Sequence, residues 1–395
     1  MIKIEEAVDL LLQCINPQTK IIELDILEAN SSIIADDIYA PFPVPPFSKS
    51  AMDGYAIISN DSNNAKKDHP VTLDVIRDIL VDVIPNNGTA LRIMTGDAIP
   101  KGYDCVIKQE DTDYGENQVQ IYKKMKKWEN YCKIGEDIEK GQLIISKYTK
   151  LNNFHIGILA SLGIAKVNVL SPMKVGILAV GNEIINPGSP FIMGKIYNSC
   201  SYTISALLKS KGIEVEFMDT CLDNANDAVQ KIEEKLDSID MLITIGSISV
   251  GTEDIIPETL RILGSKQIFK HVNMKPGTPV LANFYKNKII LSLSGNPFAA
   301  FTNFHLFFWP LLEKFMCNKE LNLKKTYAVV KEGYVKSDNL RRFIRAYEED
   351  GFVSITEKIN HSSVLSNLVN CNCLIDQIPN NEINVGDRVK IIYFK

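Results

Sequence analysis

Met241-Leu-Ile-Thr-Ile-Gly-Ser-Ile-Ser-Val-Gly-Thr-Glu-Asp254 is the stretch on which the reading of the fold turns. It opens as an apolar, β-rich run, the pattern of a strand buried on both faces. Gly246 breaks the run, and Ser247, Ser249 and Gly251 follow as small residues. Beyond Asp254, Ile255, Leu260, Ile262 and Leu263 give a mostly apolar helical face, with Gly264 as its stop. Strand, small-residue loop, helix is how an α/β sheet builds an anion site. Glycine lets the backbone come close, and free N–H groups at the helix start point at the ligand. From the loop alone, an ordinary βα turn reads the same way, because the loop is neither a Walker loop nor G-x-G-x-x-G.

On either side, strands and helices alternate. Residues 175–180 read as a strand ending at Gly181-Asn-Glu183, residues 198–211 as a helix, and residues 213–218 as a strand leading to Asp219 and Asp223. A helix over 225–236 follows, and after the central strand another strand over 288–293. Ser294-Gly-Asn-Pro297 then opens a long apolar helix to about Phe315, with Asn296 suited to the N-cap and Pro297 to the first helical position. This alternation predicts a doubly wound α/β domain with ligands off the C-terminal ends of its strands. Glu183, Asp223 and Asp254 fall at those ends. They read as three solvated loop carboxylates or, beside an anion-binding loop, as holders of a hard cation such as Mg2+. Lys275, ahead of Pro276 and Gly277, is either a surface lysine or a phosphate or oxyanion contact.

The N-terminal half reads differently. Ile4, Val8, Leu11 and Leu12 predict a helix over 4–14, and residues 24–40 read as short strands and turns. Four prolines within Pro41-Phe-Pro-Val-Pro-Pro46 fix an extended path, followed by the small and polar residues Ser48, Ser50, Asp53 and Gly54. Residues 70–145 read as β-rich, with Thr95, Gly96 and Asp97 in a turn between two strands and Asp137 in another polar turn. The basic run Lys123–Lys127 reads as a solvated hairpin face rather than a nucleic-acid site. A helix over 153–162, capped by Gly163, leads to a strand at 167–170. After Lys319, short strands over 326–330, 352–355, 373–377 and 389–393 predict a small β-barrel or sandwich. Arg341, Arg342 and Arg345 cluster before one of these strands, as a basic rim or a site for a tetrahedral anion.

A chain of 395 residues holds two to four domains. Its net charge of −5, with acids and bases interspersed, argues against nucleic acid as the main partner. Met-Ile-Lys-Ile-Glu-Glu at the start lacks the features of a signal peptide. No apolar run approaches the ~20 residues of a membrane helix. Eight scattered cysteines suit reduced thiols in a cytoplasmic enzyme, and the one close pair, Cys371 and Cys373, reads as two strand residues on one face.

Seven motifs occur in an order that resembles the molybdopterin molybdenumtransferases, which insert molybdate into adenylylated molybdopterin (bacterial MoeA and the plant and gephyrin E domains). They are Ser50-Ala-Met-Asp-Gly-Tyr-Ala56, Arg92-Ile-Met-Thr-Gly96, Gly135-Glu-Asp-Ile138, Gly181-Asn-Glu183, Ser249-Val-Gly251 with Asp254, Lys275-Pro-Gly277 with Pro279, and Gly295-Asn-Pro297. The resemblance covers essentially the whole chain. It implies an elongated subunit with an N-terminal region over 1–170 (about 46–140 an inserted β-rich module), a molybdopterin-binding α/β domain over 171–318 and a β domain over 319–395. It implies a cytoplasmic homodimer whose cleft is shared between subunits, with Asp53, Thr95 and Asp137 reaching into the partner's cleft.

The resemblance further implies that Glu183, Asp223 and Asp254 hold Mg2+ and the adenylylated pterin, and that Asp53, Thr95, Asp137, Asp254 and Lys275 are catalytic. Lys275, Pro297, Arg341, Arg345 and Ser362 border the oxyanion. Ser50, Gly246, Ser247, Ser249, Gly251, His271, Gly277, Ser294, Gly295 and Asn296 complete the implied substrate site. Molybdopterin adenylyltransferase is an implied partner, and nucleic acid and membrane are not. Ser247 stands where the family often has glycine, Ser294 where it often has proline, His271 where a lysine is common, and Ser48-Lys49 where Asp-Asn is often seen. Neutral imidazole grips an anion less well than ammonium, so His271 predicts weaker, pH-dependent oxyanion affinity. The same chemistry with tungstate, a pterin-binding scaffold without turnover, and pterin adenylylation are the other readings.

Overall fold

The computed structural model describes residues 1–77, 85–248, 254–355 and 361–394. Met241–Ile245 is a strand with all five residues buried, at the middle of a six-stranded sheet. Across that sheet the order is Glu214–Cys221, Lys174–Val180, Met241–Ile245, Lys288–Leu293, Leu281–Tyr285 and Lys266–Lys270. The first four run parallel. Alternate residues feed two cores, as the two-residue period of a strand requires. Ile177, Ile243 and Leu291 pack with helices Ser199–Ser210 and Pro297–Phe315. Leu178, Leu242 and Ile290 pack with Ala225–Lys235 and Ile255–Ile262 on the other face.

The last two strands are antiparallel, so the sheet is mixed rather than purely parallel. The sequence pattern alone does not single them out. Lys286 and Asn287, both at positive φ, form the two-residue turn of a hairpin, a signal present but short. The long helix Pro297–Phe315 is buried along almost its whole length. Among the described residues no helix is long and apolar enough to cross a membrane.

The C-terminal region is a closed five-stranded barrel. Its strands are Lys325–Glu332, Arg341–Glu349, Phe352–Ser354, Cys373–Gln377 and Arg388–Tyr393, and pairing of Arg341–Glu349 with Cys373–Gln377 closes the ring. The three arginines thus lie inside a nine-residue strand, not before one. The short strand Met274–Lys275 adds to that strand in parallel, with Lys275 beside Arg342. Cys373 begins a strand and faces the barrel interior, whereas Cys371 precedes it and packs in the main core. The same-face reading of this pair fails for that reason. None of the eight cysteines is in a disulfide.

In the N-terminal half, helix Ile4–Cys14 buries Ile4, Ala7 and Leu11 in the main core. A five-stranded sheet joins Gly54–Ile57, Val71–Ile76, Thr89–Ile93, Cys105–Lys108 and Gln118–Ile121. The chain leaves for this sheet and returns beside itself: Ile21–Asp25 pairs with Lys166–Leu170, Ile38–Tyr39 with Leu143–Ile145, and Lys49–Ser50 with Tyr131–Cys132. Lys123–Lys127 forms no strand. Met125 within it is buried, and Lys123 pairs with Asp111 at 2.8 Å.

Candidate functional site

The site grows from the end of the central strand. Gly246 has φ +95°, and a Cβ there would lie 2.4 Å from the Val180 carbonyl oxygen, so only glycine fits. Ser247 follows at φ +52°, and its hydroxyl donates to Asp223 Oδ1 at 2.7 Å. Asp223 Oδ2 accepts the Asn182 N–H at 2.9 Å, and the Asp223 N–H donates to Asn182 Oδ1 at 3.0 Å. Three strand-end loops are thereby tied together. Ser249 and Gly251 lie outside the described residues.

Above these loops opens a cavity of about 660 Å3. Glu183, Ser247, Asp254, Ser294, Gly295 and Asn296 are in its wall, with Pro297 at the start of the long helix. Asp254 precedes helix Ile255–Ile262 but makes no side-chain cap bond to it. Asn198 also lines the cavity. It is buried, its Oδ1 caps the next helix by accepting the Ser201 N–H at 3.2 Å, and its Nδ2 has no partner among the described residues. A buried donor without a partner in a residue of the cavity wall marks Asn198 as a candidate ligand contact. By sequence pattern Asn198 reads as the first helical residue and not as a site residue; the signal for it is an N-cap at the C-terminal edge of the sheet.

A second cavity of about 330 Å3 adjoins the first and shares Pro279, Ser294 and Asn296 with it. Lys275, Gly277, Arg342, His361 and Ser362 line it. Gly277 has φ +93°, and its carbonyl accepts from Asn303 Nδ2 of the long helix at 2.8 Å, which fixes the turn after Lys275. The Ser362 carbonyl accepts the Phe298 N–H at 2.9 Å, one of the N–H groups otherwise free at the helix start. Ser294 is buried between the cavities, with its Oγ 3.4 Å from the Asn296 N–H.

Arg341, Arg345 and His271 of the implied substrate site line neither cavity. Arg341 forks onto Asp376 at 2.6 and 2.7 Å and also meets Glu5, so its charge is spent on the far side of the strand. Those carboxylates push its pKa upward. Arg345 is buried, lies 4.0 Å over the Phe298 ring and donates to the carbonyls of Val364 and His361, which makes it a staple for segment 361–367. His271 lines neither cavity. It sits at φ +62°, where its carbonyl accepts the Ile2 N–H at 3.3 Å. Burial first, then Lys270 and the N-terminal amine, push its pKa below 6.5. Arg342, whose place in the strand puts it on the other side from Arg341, is the arginine in the cavity.

Among the described residues no three Asp, Glu, His or Cys side chains gather to hold a metal ion. Glu183, Asp223 and Asp254 are therefore not a ready-made cage, and Asp223 is engaged by Ser247 and Asn182. Glu183 and Asp254 still offer hard oxygen donors to one cavity. That suits Mg2+, which keeps waters and takes only one or two carboxylates beside a substrate phosphate.

A second group forms on the N-terminal half. Asp53 Oδ1 accepts both the N–H and the hydroxyl of Thr95 at 2.8 Å, and these bonds hold its pKa below the usual carboxylate value. Ser50 is buried beneath, bonded through its carbonyl to the Gly96 N–H. Asp137 is exposed on a separate turn, its N–H given to the Val44 carbonyl. None of the four lines either cavity of its own chain.

Comparison with known proteins identifies the family. Residues 2–163 match the family described as "MoeA N-terminal region (domain I and II)", and residues 176–314 match "Probable molybdopterin binding domain". A molybdopterin molybdenumtransferase of Staphylococcus epidermidis is 32% identical over 365 residues, 91% of this chain and 87% of that protein. One of Staphylococcus aureus is 33% identical over 87% of this chain and 84% of its own length. The crystal structure of a molybdopterin biosynthesis MoeA protein from Pyrococcus horikoshii superposes with a TM-score of 0.87 at 27% identity, covering 100% of this chain and 99% of that one. On its sequence and its fold, the chain belongs to the MoeA family of molybdopterin molybdenumtransferases.

Proposed function

We propose that this protein is a molybdopterin molybdenumtransferase that inserts molybdate into adenylylated molybdopterin and releases AMP in a Mg2+-dependent step. The observation that carries the reading is the pair of adjoining cavities sharing Pro279, Ser294 and Asn296, one walled by Glu183 and Asp254, the other by Lys275 and Arg342. A phosphate with its cation belongs in the first and a tetrahedral dianion in the second, next to each other.

Asn198 Nδ2 donates to an acceptor on the pterin or its nucleotide. Lys275 and Arg342 orient the oxyanion, while Gly246 lets the backbone approach without a side chain in the way. Glu183 and Asp254 hold Mg2+, with Asp223 at the margin; the ion supplies neutralisation of the phosphate charge. No nucleophilic Ser or Cys is required, because positioning and charge neutralisation carry the rate. Molybdate and tungstate share size and charge, so the tungstate reading uses the same residues.

The finer parts of the reading rest on the same resemblance. The chain divides at about residues 170 and 318, with a module over about 46–140 set into the first part. It works in the cytoplasm as a homodimer, receiving substrate from the molybdopterin adenylyltransferase. The Asp53–Thr95 turn of a second copy completes the cleft, an arrangement supported by its exposure and its absence from the walls of both cavities of its own chain. Metal analysis of the pterin product after incubation with molybdate tests the function. Molybdenum recovered stoichiometrically with pterin supports it; intact adenylylated pterin without metal moves the protein to the scaffold reading.

A further inference from the structure

Lys275 does not face its cavity with a free charge. Its ammonium lies 3.0 Å from Asp338 Oδ2, and Arg342 Nε lies 3.9 Å from the same oxygen. Lys275 and Arg342 are register partners on adjacent parallel strands, so both side chains leave the same face of the sheet. Both line the cavity and Asp338 does not. A carboxylate therefore sits just outside the wall and holds the two cations from behind.

Asp338 is itself fixed. Its Oδ1 accepts the Leu340 N–H at 3.1 Å, and its carbonyl accepts the Asn380 N–H at 2.7 Å. The neighbouring Lys336 carbonyl accepts from Gln377 at 3.0 Å and from Arg342 at 3.4 Å. Its side chain is 15% exposed, against 56% for Lys275. When the pair opens, the long, exposed lysine moves and the aspartate stays.

We infer that Asp338 is a built-in competitor for the oxyanion, occupying the Lys275 ammonium until a dianion in the adjoining cavity draws it inward. The inference rests on the proposed function, which makes that cavity the oxyanion site. Bonding to Leu340, then to Lys275, keeps the Asp338 carboxyl below the usual carboxylate range, so it stays charged at every working pH. An exposed ion pair of this kind is weak, so a dianion can open it, at a cost in affinity.

The test is direct binding of molybdate, and separately of sulfate as a tetrahedral mimic, to the full-length protein by calorimetry. Asp338→Asn should bind molybdate about three- to tenfold more tightly than wild type, with an unchanged melting temperature. Lys275→Gln should bind it more weakly. In the Lys275→Gln background, Asp338→Asn should have a much smaller effect, because only the longer 3.9 Å contact with Arg342 is then left to release. Unchanged or weaker binding by Asp338→Asn overturns the inference and makes Asp338 a support for Lys275. An equal effect in both backgrounds overturns it in favour of simple charge repulsion. If no variant binds either oxyanion, the parent reading of the cavity fails along with it.

Discussion

The Ser247 hydroxyl donates to Asp223 Oδ1 at 2.7 Å, joining the loop after the central strand to the loop after Glu214–Cys221. The serine that departs from the family's glycine thus occupies a carboxylate that the family reading gives to Mg2+. Ser247→Gly removes that bond, at a cost of about 1 kcal/mol, and relieves a non-glycine residue of a positive φ, a gain of similar size. Stability should change little, while the Mg2+ concentration for half-maximal AMP release should fall several-fold. A Mg2+ titration of both proteins checks it; an unchanged requirement excludes a metal-tuning role for Ser247.

Asp254 stands at a helix start without capping it. Asp254→Ala should leave the protein folded while AMP release is lost. Urea unfolding beside single-turnover assays separates the two effects. A stability loss with surviving activity would make Asp254 structural.

His271 lines neither cavity, and burial beside Lys270 and the N-terminal amine holds its pKa below 6.5. The pH dependence that its place in the sequence predicts should therefore not appear. The saturation constant for molybdate should be flat from pH 6 to 8, and His271→Lys should leave it unchanged. A constant that rises with pH and is rescued by the lysine would put His271 back in the site.

His305 gives the chain a pH-linked stability instead. It is fully buried, its Nδ1 accepts the Trp309 indole N–H at 2.8 Å, and burial lowers its pKa from 6.5 to about 3. Between those values the unfolded chain binds a proton that the folded one does not. Stability contributed by neutral His305 is thus full above 6.5 and is lost as pH falls toward 3, by up to about 1.4 kcal/mol per unit. His305→Gln should be less stable at pH 7 yet show a shallower decline from pH 6.5 to 4.5 in urea denaturation.

How much of this was legible in the sequence depended on whether local pattern or tertiary contact decided each feature. Residues 241–245, 288–293 and 373–377 carry enough local pattern to be read as strands before any contact is known. Lys266–Lys270 lacked it, because only one of its five residues is buried and no apolar period survives there, and Leu281–Tyr285, though mostly buried, is too short an apolar run to stand out. Arginine identity pointed to an anion site, but only the strand register shows that Arg342 enters the cavity while Arg341 turns to Asp376. Asp338 had no motif at all. Its partners are 63 residues away and at the fourth position along the chain, and only the pairing of Met274–Lys275 with the barrel brings them together.

The central claim is that the two adjoining cavities bring an adenylylated pterin and an oxyanion together. AMP release from adenylylated molybdopterin with Mg2+, measured with molybdate, with tungstate and with neither, tests it most directly. Release should depend on the oxyanion and be abolished by Asp254→Ala. Tight pterin binding with no oxyanion-dependent release would contradict it and leave the protein a pterin-binding scaffold.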